Sequence, residues 1–118
     1  MDNNRPVFNM DHAREITDGD MEFLNELIEI FKADCSEKLA GLSRAIKEKD
    51  FKAIDGTAHS LKGSSGNLGL TRFYEISYKL EKMGKSENIE GADETLKELE
   101  EELERFRNFV SKPGWEEK

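Results

Sequence analysis

With 118 residues, 37% of them charged and 36% hydrophobic, and only two prolines, the chain has the makeup of one charge-coated domain with a modest core. A formal net charge of -8 excludes a phosphate backbone and an anionic membrane surface as partners, since both attract clustered Lys and Arg. The single cysteine, Cys35, rules out an internal disulfide framework and a multi-cysteine zinc site.

In chain order, "MDNNRPVFNM" has no apolar signal-peptide core, and no run nears the roughly 20 apolar residues that span a bilayer. A cytoplasmic domain is expected, free-standing or cut from a longer chain. "NMDHAREI" predicts a short first helix of one or two turns, and "TDGD" a turn with Asp20 as the next N-cap. From there Leu24, Leu27, Ile28, Phe31, Cys35, Leu39, Leu42 and Ile46 keep a 3–4 spacing, one apolar stripe on a long helix with room for a bend at Asp34–Ser36. Cys35 on that stripe reads as a packing thiol.

Asp50 caps a second major helix, with Ile54, Ala58, Leu61, Ser65 and Leu68 on one side and Gly69 as its C-terminal glycine. Thr71 opens a third, with Phe73, Ile76, Leu80 and Met83 inward and Gly84 closing it. "KSENIEGAD" leads to the last helix, striped by Ala92, Leu96, Leu99, Leu103, Phe106 and Val110 and ended at Pro113–Gly114. The acidic "KELEEELER" reads as its solvated face. No segment alternates with period two over a useful length. The fold class expected is therefore all-α: an antiparallel up-down-up-down four-helix bundle with a short N-terminal capping helix. It makes one domain over residues 1–118, with a core over about residues 9–111 and flexible ends.

"AHSLKGSSGNLG", residues 58–69, stands out because glycine weakens a helix interior by about 1 kcal/mol relative to alanine. His59 lies about 200° from the core residue Leu61, so it points outward. Lys62, Gly63 and Gly66 follow at i+3, i+4 and i+7, on the same exposed face. Each feature alone is ordinary helix surface. Together they expose an imidazole beside a cation, on a helix stripped of side chains where another protein can come close. A neutral imidazole nitrogen is a competent nucleophile near pH 7, and the ammonium of Lys62 suits an arriving phosphoryl group. No phosphate-binding loop is present to make that donor, so a partner must supply both phosphoryl group and metal.

These residues resemble the signature of histidine-containing phosphotransfer (HPt) domains of multistep phosphorelays, roughly H-x-L-K-G-S/A-S/A-x-x-L-G. The likeness extends along nearly the whole chain, with "TRFYEISYKLEKMGK" at the family's usual distance. It implies that His59 is the phosphoacceptor, on Nε2, and that Lys62 neutralises the phosphoryl charge. Gly63 and Gly66 then give clearance to a docking partner, and Glu81 holds a place where the family carries Gln or Glu beside the histidine. The partners implied are response-regulator receiver domains and, through them, a sensor histidine kinase. The chain is then a monomeric phosphocarrier and not an enzyme, with no cofactor, no metal, no nucleic acid and no membrane contact of its own. Gly56, one turn before His59, departs from the larger helix formers usual there.

Other readings stand beside this one. A non-catalytic helical interaction module would use the last helix as its seam. Asp55 and His59, four apart, are spaced for a shared metal, although a di-metal bundle wants paired Glu-x-x-His motifs that are absent here. A structural salt bridge suits Asp55 better. Tyr74 and Tyr78 fall off the core stripe, either on the docking surface or as half-buried aromatics. His12 reads as solvent-exposed, with no partner visible in the sequence.

Overall fold

Each helix begins and ends where the local chemistry allows it. In the computed structural model, which describes residues 9–115, Asn9 Oδ1 accepts from His12 N to start α1 (Met10–Ile16). Asp18 and Gly19, both left-handed with φ of 55° and 79°, then reverse the chain. Asp20 accepts from Phe23 N and opens α2 (Met21–Glu48). The 28 residues of α2 form one uninterrupted helix through Asp34–Ser36, so no break occurs at the expected bend. At 1.5 Å per residue they run about 42 Å, matching the molecule's longest dimension of 42 Å.

Asp50 accepts from Ala53 N and starts α3 (Phe51–Leu68), which ends on Gly69 at φ 82°. Leu70 N reaching back to Ser65 O closes that terminus and hands the chain to α4 (Thr71–Ser86) with no side-chain cap. α5 (Ala92–Ser111) follows Gly91. Beyond it the chain turns so that Trp115 is buried, its ring 6.0 Å from that of Phe109. The core thus extends past residue 111 to Trp115.

The four long helices run antiparallel in succession, and each of α2, α3, α4 and α5 packs on two others of the four, closing a ring around one core. The apolar stripes all turn inward, with Phe31 at the centre. Its ring meets Phe73 of α4 edge-on at 5.4 Å and Phe106 of α5 at 5.7 Å. α1 caps one end of the bundle against α3 and α2. There Asn9 N donates to Gly69 O at 2.8 Å, and His12 Nε2 donates to the Asn67 carbonyl at 3.0 Å. His12 is therefore half-buried and engaged, because the end of α3 leaves a free carbonyl beside it.

Gly84 does not close α4. The helix continues through it to Ser86, and Glu87 takes the left-handed position at φ 57°. Gly84 is instead where α4 touches the backbone of α3: a Cβ there would lie 2.6 Å from Asp55 N and 2.9 Å from Phe51 O. Nothing flexible can yield. At Gly63, by contrast, a Cβ would meet nothing within 4 Å. The two glycines should answer the same substitution with opposite signs. Gly84→Ala should destabilise by about 1–3 kcal/mol through overpacking, and Gly63→Ala should stabilise by about 0.5–1 kcal/mol by restricting the unfolded chain. Urea unfolding of both variants checks this, and a Gly84→Ala protein as stable as wild type would contradict the close approach.

Candidate functional site

The close contact at Gly84 brings the outer edge of α4 against that of α3. Ala58 and Leu61 of α3 are fully buried, which turns His59 between them outward, its side chain 68% exposed. Glu81, one turn before Gly84 on the packed side of α4, is only 2% exposed. His59 Nδ1 donates to Glu81 Oε2 at 2.7 Å. On the other oxygen, Oε1, the Lys62 ammonium sits at 2.6 Å. Lys85 adds a second ammonium group, 3.5 Å from Oε2, while it holds Asp55 Oδ1 of α3 at 3.0 Å. Two ammonium groups lie over the Tyr78 ring, Lys62 at 4.8 Å from its centroid and Lys82 at 4.6 Å.

This geometry decides protonation. The Lys62 contact lowers the Glu81 pKa to about 2 and outweighs burial, which acts in the opposite direction; the His59 hydrogen bond adds to the lowering. The same contact raises the pKa of Lys62. At neutral pH Glu81 is thus an ionised carboxylate that can only accept, so the imidazole nitrogen facing it must carry the hydrogen. With the proton on Nδ1, the neutral ring keeps its lone pair on Nε2. The arrangement is an exposed nitrogen nucleophile with a fixed tautomer and a cation beside it.

Three of the residues picked from sequence, His59, Lys62 and Glu81, converge here. Gly63 is exposed and open, as its place on the face of His59 implies. Gly66 is different: it is half-buried, and a Cβ on it would stand 2.9 Å from Tyr74 Cδ2. The Tyr74 ring covers it, so its missing side chain makes room for α4 and does not bare the surface. Asp55 pairs with Lys85 across the helices, and among the described residues no group of three or more His, Cys, Asp or Glu is placed to hold a metal ion. Burial pushes the Cys35 thiol up to about 12, which fits a packing role. Sequence reading missed Lys85 and the true place of Gly84. Lys85 stands at i+4 from Glu81, a spacing that could have flagged it.

A pH dependence follows from Glu81. Its pKa falls from an ordinary 4.5 to about 2 on folding, so the stability it contributes is complete above pH 4.5 and is lost as pH drops through about 2. The unfolding midpoint of wild type minus that of Glu81→Gln should be flat above pH 4.5 and shrink steadily toward pH 2. A difference independent of pH over that window would show that the carboxylate charge is not what matters.

Comparison with known proteins gives a consistent picture. A family model described as the Hpt domain matches residues 26–109. The phosphorelay intermediate protein rdeA of Dictyostelium discoideum is 29% identical over 92% of this chain and 44% of its own length. Histidine-containing phosphotransfer protein 2 of Arabidopsis thaliana is 26% identical over 76% of this chain and 60% of its own. The chain spans about half the length of these curated relatives. Among solved structures, histidine-containing phosphotransfer protein B of Pseudomonas aeruginosa PAO1 shares the fold, with a TM-score of 0.84 at 23% identity over 92% of this chain and 94% of that one.

Proposed function

The chain belongs to the Hpt domain family, and from that premise we propose that it is a phosphorelay intermediate with His59 as its phosphoacceptor. The observation that carries this reading is the 2.7 Å hydrogen bond from His59 Nδ1 to the buried carboxylate of Glu81. A surface histidine with no task has no need of a fixed tautomer.

In the forward step, the Nε2 lone pair attacks the phosphorus of an aspartyl phosphate on a receiver domain. The N–P bond forms as the P–O bond breaks, and the receiver's carboxylate departs with the electron pair. The proton on Nδ1 stays where it is. The ring takes up a positive charge, and Glu81 lies against it to offset that charge. Handing the phosphoryl group to a second receiver reverses these changes, again with no proton moved. Lys62, one turn along from His59, supplies positive charge for the phosphoryl oxygens. Gly63 leaves space for the partner to reach Nε2, whereas Gly66 serves by seating Tyr74.

On this reading the chain is a phosphocarrier and not a catalyst, and its partners are response-regulator receiver domains linked to a sensor histidine kinase. The same reading places it in the cytoplasm with the partners it would serve. Separately, no helix among the described residues is long and apolar enough to cross a membrane. A monomer is part of the same reading, since a ring of four helices needs no second copy to bury its core.

The test is transfer from a phosphorylated receiver. Wild type should gain an acid-labile label, and His59→Gln should gain none while keeping the wild-type circular dichroism spectrum, since the side chain is solvent-facing. Label retained on the variant would move the acceptor to His12 and overturn the assignment. A wild-type chain that binds receivers but is never labelled would make it an interaction module.

A further inference from the structure

Glu81 is a buried carboxylate with two lysine ammonium groups and the neutral His59 ring drawn up around it, more than its resting state requires. Lys62 alone meets Oε1, and Oε2 takes the His59 hydrogen bond. Lys85, anchored at i+4 on the same helix, already makes a loose ion pair with Oε2 at 3.5 Å, while its shorter contact, 3.0 Å, is with Asp55. The proposed relay sets up a conflict for Lys62. Its ammonium is already committed to Glu81 at 2.6 Å, yet a phosphoryl group on Nε2 brings new negative charge beside it.

We infer that Lys85 is a reserve counter-ion: when His59 carries a phosphoryl group, the Lys62 ammonium leaves Glu81 for the phosphoryl oxygens and Lys85 closes on the carboxylate it has left. The inference rests on the relay reading above and adds a positioning residue to it. Burial sets the direction of the exchange. The Glu81 side chain is 3% exposed, and the charged His59 ring meets only its Oε2, so when Lys62 leaves Oε1 scarcely any water can take its place and a second ammonium group is needed nearby. Asp55 is 30% exposed, so solvent can take over when Lys85 lets go. The Lys85 side chain, 59% exposed, is free to make the move by rotating its own stem, with no shift of either helix. Lys62 has its own path, since its ammonium already rests over the edge-lying Tyr78 ring, where Lys82 remains when it departs.

Phosphoramidate, a small-molecule phosphoryl donor, tests this without a receiver. The lysine ammonium signals in 1H–15N spectra should move for both Lys62 and Lys85 on phosphorylation. At a fixed phosphoramidate concentration, Lys85→Met should lower the ratio of phosphorylated to free protein about fivefold in the wild-type background. In the Lys62→Met background the same substitution should change that ratio little, because Lys85 already serves Glu81 in both states. Lys85→Arg should restore the wild-type ratio, which separates loss of charge from any damage to the fold. Equal effects of Lys85→Met in both backgrounds, or a Lys62 signal unmoved by phosphorylation, would overturn the exchange and leave the relay reading intact. No phosphohistidine at all on wild type would overturn the relay reading, and the exchange with it.

Discussion

The site depends on keeping one carboxylate ionised where water scarcely reaches. Glu81 is buried between α3 and α4, and by burial alone it would prefer to hold a proton. Lys62 and His59 reverse that preference. Once the carboxylate is charged, it can only accept hydrogen bonds, and the tautomer of His59 follows. An exposed imidazole free to choose either nitrogen becomes one that offers Nε2. The buried charge is costly by itself, as any ion taken out of water is. It is held there because an exposed partner could not fix the ring so firmly.

Three glycines near the site do three different things. Gly63 bares the helix surface, one turn from His59. Gly66 seats the Tyr74 ring. Gly84 lets α4 rest on the backbone of α3, and so sets how near Glu81 comes to His59. A methyl group at Gly84 would lie within 3 Å of the α3 backbone around Asp55 and push the two helices apart just where the hydrogen bond spans them. The bundle's packing and the acceptor's protonation are thus coupled through a residue that touches neither ligand nor proton.

Much of this was legible in the sequence, because it depends on local rules. The stripes from Leu24 to Ile46 and from Ala92 to Val110 follow the helical period, and Asp20, Asp50 and Gly69 sit at helix ends for reasons confined to one turn. The outward direction of His59 followed from its angle to Leu61. What escaped was set by contacts between helices. Gly84 reads as a helix stop when only its neighbours in sequence are considered, and Gly66 looks bare until Tyr74 is laid on it. The Asp55–Lys85 and Glu81–Lys62 pairs join residues on different helices, so they depend on how far each helix is rotated. His12 likewise found Asn67 only when α1 folded over the end of α3.

The most direct measurement is the 15N spectrum of the His59 ring in the unmodified protein near neutral pH. The structure predicts a protonated, pyrrole-like Nδ1 and an unprotonated, pyridine-like Nε2 in the neutral ring, with that preference lost in Glu81→Gln, whose amide can turn either its oxygen or its nitrogen to the ring. A wild-type ring that carries its proton on Nε2, or divides it evenly between the two nitrogens, would contradict the central claim that the buried carboxylate prepares the acceptor.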